Sequence, residues 1–472
     1  MNRKYIVFGT GTGGKRVLEM LKQFQDIEVE YCLDNNPKSE LFEGIPVIKA
    51  GKFLEQNSNQ DYNYCIASVY RDDIKKQLLQ SGISENQIVS IISIMLEHEN
   101  MIDSIIKHKE ISNHPYETII FDLGLGFGLG GVEKWSYNIA NELKKKGKNI
   151  VLFSNNSDGL PPYNLSKNAY KSVVECFSDY KLSSINNIMN EIEQMMPCTI
   201  FVAHISDLMI AAMMLKTRYP DKIKIISVIH GGLDYLIEDN LKIANRIDYL
   251  MCISFDMYQI IKKCKEIDKK KVLFKETPVK ISDVKEKKYT LDNKQPIKIA
   301  YAARLEKLHK HSELVILFIE ELEKKQVNYV LDIAGTGTMY KMIYEFIQQK
   351  KLTNKVNMLG KVEYRDMEQF WLKHDIAVNF SECEGCSVTM LESMSAGTVP
   401  IFTDVFSTRH FIADGNNGFV VEFNDVNGMV QDIIELDKNR NKISEMGYKA
   451  HQTIQEKCIM SDYIEYILKN IK

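Results

Sequence analysis

Short apolar segments alternate with amphipathic segments along nearly the whole chain. The apolar segments lack the strict alternation of apolar and polar side chains that marks a strand with one solvated face. Strands of this kind are typical of parallel sheets that helices cover on both faces. The pattern therefore predicts an α/β fold, with strands at residues 5–8, 29–33, 118–121, 150–153, 199–203, 225–229, 250–253, 297–303, 329–333, 356–359, 376–380, 399–402 and 418–421.

Two polar stretches divide this pattern into three blocks. The first stretch reads as a helical connector, and the second is a linker rich in lysine and aspartate. Two consecutive α/β blocks of similar size are typical of a two-lobed enzyme with a central cleft. The predicted organisation is a small Rossmann-like domain at 1–93, a connector at 94–115, a first lobe at 116–278, a linker at 279–294, a second lobe at 295–447 and a C-terminal helix at 448–472.

Composition narrows the function classes. The 472 residues include 60 basic and 63 acidic side chains, and this balance argues against a nucleic-acid-binding protein. Nine scattered cysteines favour reduced thiols in a cytosolic protein. No segment reads as a signal peptide or as a membrane span. We therefore expect a cytoplasmic protein that binds no nucleic acid.

A glycine-rich turn lies near the start of the chain. Gly9, Gly11 and Gly14 follow a predicted strand and precede a predicted helix, and Asp34 ends the next strand. This is the dinucleotide-binding fingerprint, in which helix amides face a phosphate and the acidic side chain binds ribose. The block is short for a complete dinucleotide-binding domain. A docking domain with an empty loop is therefore an equal alternative to a nucleotide site.

A second glycine cluster, from Gly124 to Gly131, also joins a predicted strand to a predicted helix. Its spacing matches neither the dinucleotide fingerprint nor a P-loop, because no Gly-Lys-Ser/Thr follows. Gly130 and Gly131 begin the helix, where partial positive charge favours a phosphate or a sugar ligand. The alternative is a turn without a ligand.

Two carboxylates follow the predicted strand at 376–380. Glu384 lies in the loop at the carboxyl end of this strand, which is the ligand-binding edge of a parallel sheet, and Glu392 lies in the next helix. They can accept hydrogen bonds from hydroxyls at the two ends of an extended polar ligand. Taken alone, they would more simply be solvated glutamates on a surface helix.

Cationic side chains follow the predicted strand at 297–303. Arg304 and Lys310 suit a diphosphate leaving group, and Lys307 lies between them as a rival to Lys310. Gly335 and Gly337 end the next predicted strand, where the backbone can approach a ligand closely.

Residues 116–447 resemble the retaining glycosyltransferases of the GT-B fold, specifically family 4. The motifs that carry the resemblance are Gly130-Gly131-Val-Glu133-Lys134, Ile229-His230-Gly231, Ala303-Arg304-Leu305 with Lys310, Ile333-Ala-Gly335-Thr-Gly337, and Glu384 with Glu392 followed by Ser395-Ala-Gly397. The first block is similar to the small Rossmann-like domain of bacterial sugar acetyltransferases, through Gly9 to Gly14, Leu33-Asp34-Asn-Asn-Pro37 and Gly44-Ile-Pro46.

The resemblance implies a role for each site residue. The second lobe would bind the nucleotide-sugar donor, and the first lobe would bind the acceptor. Glu384 would hold the donor sugar, Arg304 and Lys310 the diphosphate, and His230 would approach the reacting sugar. The implied donor-binding residues are Glu392 on the ribose, Gly130, Gly131, Gly335, Gly337, Ser387, Val388 and Thr389. The C-terminal helix would brace the first lobe.

The implied reaction is retaining transfer from a nucleotide-sugar, with a UDP-sugar expected, to a glycan, lipid-linked or polymer acceptor in cell-surface polysaccharide or glycoconjugate assembly. Neither a metal nor a further cofactor is expected. The alternatives are a GT-B sugar-nucleotide epimerase or phosphorylase, and a non-catalytic nucleotide-sugar-binding subunit. The stretch from Lys262 to Lys288 has eleven lysines and five acidic residues, and it is either a solvated surface or a peripheral contact with an anionic membrane.

Overall fold

The computed structural model describes residues 3–57, 61–105, 117–123, 130–154, 180–203 and 205–470. These described residues form three six-stranded sheets with helices between the strands, and the predicted α/β fold is confirmed. The chain divides into two compact units. The first comprises residues 1–229, 233–251 and 264–273, and the second comprises 230–232, 252–263 and 274–472.

The first sheet is parallel except at one edge. Its strands are β1 (Arg3–Phe8), β2 (Ile27–Asp34), β3 (Leu41–Phe42), β4 (Ile45–Lys49), β5 (Asn63–Ile66) and β6 (Ile88–Val89). Their order is β3-β4-β2-β1-β5-β6, and only the edge strand β3 pairs antiparallel. The helices of this block are α1 (Thr12–Leu21), α2 (Ala50–Asn57), α3 (Arg71–Gln80), α4 (Ile91–Glu97) and α5 (Glu99–Ile105).

The second sheet has the order β12-β11-β10-β9-β7-β8. Its strands are β7 (Thr118–Leu123), β8 (Asn149–Ser154), β9 (Cys198–Val202), β10 (Ile223–Ile229), β11 (Tyr249–Cys252) and β12 (Val272–Phe274). The helices that follow its strands are α6 (Gly131–Lys145), α7 (Leu182–Glu193), α8 (Asp207–Arg218), α9 (Asp234–Lys242) and α10 (Phe255–Ile261).

The third sheet is parallel throughout, with the order β15-β14-β13-β16-β17-β18. Its strands are β13 (Ile297–Ala302), β14 (Tyr329–Ala334), β15 (Val356–Gly360), β16 (Ile376–Asn379), β17 (Val399–Thr403) and β18 (Phe419–Val421). The helices are α11 (Leu314–Lys324), α12 (Tyr340–Gln349), α13 (Met367–Leu372), α14 (Val388–Ser395), α15 (Thr408–Phe411), α16 (Val426–Lys438), α17 (Arg440–Lys457) and α18 (Met460–Asn470).

Every strand predicted from the apolar segments is present, but five other strands among the described residues were missed. Strands β3 and β6 have only two residues each, and β12 has three, so they are too short to show a pattern. The tail also differs from the prediction, because α17 begins at Arg440, before residue 448, and a second helix follows it. No helix within the described part of the chain is long and apolar enough to cross a membrane.

Strand order places two loops side by side in the first and third sheets. In the first sheet, β2 and β5 lie on opposite sides of β1, and in the third sheet β14 and β16 lie on opposite sides of β13. The connections leave the sheet in opposite directions at such a switch point, which opens a crevice beyond the carboxyl ends of the strands. Both crevices carry residues that the sequence predicts to bind ligands.

Candidate functional site

The switch point of the third sheet brings together the loop after β13 and the loop after β16. The Glu382 amide donates to the His309 carbonyl over 2.9 Å, and the His311 ring bonds the Glu382 carboxylate at 2.9 Å. His309 and His311 both have positive φ angles, of 61° and 44°. These left-handed residues turn the first loop on both sides of Lys310.

Lys310 and Glu384 form an ion pair at this point. The Lys310 ammonium contacts the Glu384 carboxylate, and Ser381 donates its hydroxyl to the same carboxylate over 2.8 Å. The side chains of Lys310 and Glu384 are 22% and 14% exposed, while Arg304 and Lys307 are exposed. Of the two candidate lysines, Lys310 is therefore the one in contact with Glu384.

The backbone of His230 reaches the same loop. A Cβ added at Gly385 would lie 2.2 Å from the His230 carbonyl oxygen, and one added at Gly232 would lie 2.7 Å from the Glu384 carbonyl oxygen. Both residues must be glycine, because real Cβ contacts are not this short. Residues 230–232 belong to the same compact unit as Glu384. The structure thus brings the predicted His230 next to the predicted Glu384.

Sequence reasoning missed several residues that shape this loop. Ser407 donates its hydroxyl to the Gly385 carbonyl over 3.2 Å, and its own amide donates to Asp256 over 2.8 Å. Ser407 has a φ of 71°. The sequence signal for Gly385 was its position directly after Glu384, but Ser381, Ser407 and Asp256 gave none.

The fold itself requires glycine at positions 335 and 337. Their φ angles are +143° and +156°, and a Cβ would lie 1.9 Å from the Ala303 carbonyl oxygen or 2.4 Å from that of Leu305. The loop after β14 therefore packs against the loop that carries Arg304. The donor contacts assigned to these two glycines stay a prediction.

Glu392 lies on α14 and lines a small cavity of 190 Å³ in the second unit, with Tyr364, Arg365 and Trp371 among its neighbours. Ser387 caps the same helix, because its hydroxyl accepts from the Met390 amide.

Near this cap, Ser387 and Thr389 bond to one another at 3.0 Å, and Val388 is half-buried. Each hydroxyl can make up to three hydrogen bonds, so Ser387 and Thr389 keep capacity for a ligand. The donor contacts assigned to Ser387, Val388 and Thr389 stay a prediction.

The second glycine cluster is described only at its end, where α6 begins. A Cβ at Gly130 would lie 2.0 Å from a carboxylate oxygen of Glu133, so Gly130 makes room for this side chain, and Gly131 opens the helix. Residues 124–129 lie outside the described part of the chain.

Asp122, at the end of β7, is fully buried, and burial together with the nearby Glu133 raises its pKa to about 8.

Gly9, Gly14 and Asp34 organise the turn after β1. Gly9 has a φ of +122°, and a Cβ there would lie 2.7 Å from the Ala67 carbonyl oxygen; one at Gly14 would lie 2.0 Å from that of Gly9. Asp34 accepts hydrogen bonds from the Thr10 amide and hydroxyl, at 3.2 and 2.6 Å. Gly11 differs, because nothing lies within 4 Å of a Cβ added to it.

Within the described ranges, no cluster of histidine, cysteine and acidic side chains could hold a metal ion. The cysteines that the structure describes, including Cys383 and Cys386, are free thiols. Burial raises the pKa of Cys386 to about 12, which keeps this thiol protonated and unreactive.

Two family models match the chain. Residues 283–453 match glycosyl transferases group 1, and residues 1–89 match a domain described as C2185-like, N-terminal. The first match covers the third sheet and the Lys310–Glu384 pair, and the second covers the first sheet.

The curated relatives match parts of the chain. The poly(ribitol-phosphate) alpha-N-acetylglucosaminyltransferase of Staphylococcus aureus is 30% identical over 159 residues, which are 33% of this chain and 31% of the relative. The N-acetyl-alpha-D-glucosaminyl L-malate synthase of Bacillus anthracis is 22% identical over 52% of this chain and 67% of the relative. The chain thus spans about a third of the length of the first of these relatives.

Solved structures show the fold. The pneumococcal O-GlcNAc transferase GtfA in complex with UDP and GlcNAc has a TM-score of 0.61 at 12% identity, over 76% of this chain and 99% of that chain. A mutant of S. aureus TarM in complex with fondaparinux, alpha-GlcNAc-glycerol and UDP has a TM-score of 0.52 at 14% identity, over 99% of both chains. The predicted GT-B fold is confirmed.

Proposed function

We propose that this protein is a retaining, family 4 glycosyltransferase that moves a sugar from a UDP-sugar to a glycan or polymer acceptor. The match of residues 283–453 to glycosyl transferases group 1 supports the transferase class. We further propose that it works in the cytoplasm on cell-surface polymer precursors, with exposed lysines of the stretch from Lys262 to Lys288 as a peripheral membrane contact.

The observation that carries this proposal is the Lys310–Glu384 pair at the switch point of the third sheet, beside the His230 backbone. A nucleotide-sugar carries hydroxyls on the sugar and two negative charges on the diphosphate. The carboxylate of Glu384 is a hydroxyl acceptor, and Lys310 and Arg304 are cations that can stabilise a departing diphosphate. The loops after β13 and β16 thus offer groups that suit both parts of the substrate.

Donor binding must change the partners of Lys310. Its ammonium already contacts Glu384, whose carboxylate is also held by Ser381. When a diphosphate supplies new acceptors, Lys310 can share its three N–H donors between the carboxylate and the phosphates. Glu384 then keeps free lone pairs for sugar hydroxyls, while Ser381 holds it in place.

The comparisons narrow the donor and acceptor to be tested first. The relative from S. aureus is named for N-acetylglucosaminyl transfer to poly(ribitol-phosphate), and solved structures with this fold hold UDP. We therefore propose UDP-N-acetylglucosamine as the first donor and a polyol-phosphate polymer as the first acceptor class.

The test measures binding and transfer separately. UDP and UDP-N-acetylglucosamine should raise the melting temperature of the wild type, and Glu392→Ala should weaken this shift because the ribose loses a hydroxyl acceptor. Glu384→Ala should lower transfer to the polymer by about 100-fold, the usual cost of removing one transition-state contact. Product NMR should show that the anomeric configuration is retained.

Glu435→Ala is the matched control. Glu435 on α16 also pairs with a lysine, Lys442 on α17, but the Glu435 side chain is 53% exposed, and the variant should keep transfer within about twofold. Binding without transfer in a broad acceptor screen would favour a nucleotide-sugar-binding subunit. Absence of any nucleotide-dependent shift would remove the transferase proposal.

A further inference from the structure

A large cavity in the first unit lies at the switch point of the first sheet. Its volume is 1040 Å³, and it is lined by the turn after β1, the ends of β2 and β5, and two tyrosines from the second block, Tyr180 and Tyr235. Small-molecule sites in proteins usually measure about 300–1,000 Å³. The cavity is therefore large enough for a complete nucleotide.

The walls of this cavity are held in place by contacts that do not involve a ligand. Arg71 forms two hydrogen bonds to Asp239 on α9, at 2.7 and 3.1 Å, and Lys75 bonds Glu238 at 2.7 Å. Gln23 donates to the Tyr180 carbonyl over 3.0 Å. The charge of Arg71 is thus matched by Asp239, and this residue supports the wall instead of recruiting an anion.

Gly11 distinguishes this turn from a turn that merely packs. Gly9 and Gly14 are required by the protein's own backbone, because a Cβ at either position would collide with a carbonyl oxygen, but a Cβ at Gly11 meets open space. Gly11 is also the N-cap of α1, with a φ of −91° that any residue can adopt, and it supplies no side-chain cap to the helix. Neither sterics nor backbone conformation explains glycine here, whereas close approach of a ligand does.

The cavity has two chemically different ends. The uncapped N-terminus of α1 presents backbone amides and partial positive charge, and no acidic side chain lies in its first turn. The end of β2 and the loop after it contribute Asp34, Asn35 and Asn36, which are hydrogen-bonding groups suited to hydroxyls. Phosphate is favoured at the first end, and a hydroxyl-bearing sugar is favoured at the second.

The Asp34 carboxylate disfavours a phosphate at its own end of the cavity. Partial burial raises the pKa of Asp34, but hydrogen bonds from Thr10 and the Asn36 amide outweigh this effect, and the pKa lies below its ordinary value. The carboxylate is therefore ionised at neutral pH and repels phosphate. It makes three hydrogen bonds, from the Thr10 amide, the Thr10 hydroxyl and the Asn36 amide, which leaves acceptor capacity for a ribose hydroxyl.

An apolar wall completes the cavity. Val69 and Tyr70, which follow β5, line it and are 64% and 53% exposed. Exposed apolar side chains at the mouth of a polar crevice favour a planar group that can lie against them. A nucleobase is such a group, and it is joined to ribose and phosphate in one ligand.

We propose that this cavity is a second ligand site, separate in function from the transferase site, and that it binds a ribonucleoside diphosphate. The phosphates lie at Gly11 and the start of α1, the ribose at Asp34, and the base along Val69 and Tyr70. Because Tyr180 and Tyr235 belong to the second block, the ligand joins the first sheet to the block that follows it.

Hydrogen exchange of the full chain tests the site directly. The background is Glu392→Ala, which under the proposed function should weaken nucleotide binding at the transferase site. The probes are UDP, ADP, GDP, CDP and inorganic phosphate at millimolar concentration. At about ten times its Kd, at least one nucleoside diphosphate should slow exchange in peptides covering residues 9–16 and 67–71 by about tenfold.

Gly11→Asp and Gly11→Asn form the matched pair of variants. Both side chains cap a helix well, and a Cβ at this position meets no atom within 4 Å, so both variants should fold. Aspartate places a negative charge at the phosphate end and should abolish the protection, whereas asparagine should retain a larger part of it. Equal protection in the two variants would overturn the phosphate placement.

Two other results would also overturn the proposal: no protection by any of the four nucleotides, or equal protection by inorganic phosphate, which would leave no role for ribose. The proposed transferase function is measured elsewhere, by nucleotide-dependent protection of residues 384–392 in the wild type. If nucleotides protect residues 9–16 and 67–71 but not residues 384–392, the transferase proposal is removed and the second site is retained.

Discussion

The first and third sheets use the same topological position in opposite ways. At the switch point of the third sheet, Lys310 and Glu384 neutralise one another. Backbone atoms of the protein occupy the space where a Cβ of the surrounding glycines would lie. At the switch point of the first sheet, Gly11 faces open space and the crevice widens into a cavity of 1040 Å³. An ion pair organises the crevice of the third sheet, whereas the crevice of the first sheet is an open cavity.

This difference shows that a glycine-rich turn does not have one meaning. Gly335 and Gly337 are predicted to let a donor approach closely, and a Cβ at either would also strike the backbone of residues 303–305. Gly9 and Gly14 are of the same type. Only Gly11 lacks such a neighbour among these five glycines. The atoms that a missing Cβ would meet therefore separate the glycines that the fold requires from Gly11, which the fold does not require.

The largest expected effect separates these two types of glycine. Gly335→Ala should destabilise the second unit by about 3 kcal/mol or more, because it adds both a backbone clash and a strained φ. Gly11→Ala should change the stability of the first unit by less than about 1 kcal/mol, since it adds neither. Hydrogen exchange of core peptides in increasing urea measures each unit separately. Similar losses in the two variants would contradict the distinction.

A smaller effect is expected at the ion pair. Lys310→Met and Glu384→Gln should each lower the free energy of unfolding by about 2 kcal/mol, because a mostly buried charge loses its partner. The double variant should lose less than the sum of the two single losses. The pair of Lys361 and Glu363, whose side chains are both 53% exposed, is the control, with a coupling of less than about 0.5 kcal/mol. Additive losses at Lys310 and Glu384 would show that the pair does not organise the crevice.

The smallest effect concerns Asp34 and depends on pH. The two carboxylate oxygens of Asp34 accept from Thr10 and from the Asn36 amide, but an amide has only one acceptor oxygen. Asp34→Asn would therefore direct an NH₂ group at one of these donors and should lower the free energy of unfolding by about 1 kcal/mol at pH 7. Because the folded-state pKa of Asp34 is lowered, its contribution is present above about pH 4 and is lost as the pH falls through that pKa. Melting temperatures of the two proteins should therefore converge in acid.

The control for this experiment is Asp221→Asn, at an exposed position of the same unit, which should track the wild type at every pH. A difference between Asp34→Asn and the wild type that stays constant down to about pH 2 would show that the loss is steric and not electrostatic.

Part of the candidate site was readable in the sequence. The sequence predicts Glu384, Arg304 and Lys310 as site residues because loops at the carboxyl ends of parallel strands bind ligands, and the structure places Glu384 and Lys310 in contact. The choice between Lys307 and Lys310 was not readable. It depends on the left-handed turns at His309 and His311, which no local pattern in the sequence announces. Short edge strands such as β3 are not predicted, because two residues are too few to show a hydrophobic pattern.

The sequence by itself determined the α/β architecture, because short apolar strands between amphipathic helices can be buried only in parallel sheets with two covered faces. It also determined where the candidate ligand-binding loops occur along the chain. Only the tertiary structure decided which atoms those loops contact. Whether a glycine makes room for a carbonyl, as Gly385 does for His230, or for a ligand, as we propose for Gly11, depends on atoms that are distant in sequence. Local residue patterns carry no information about such neighbours, since chain packing alone brings them together.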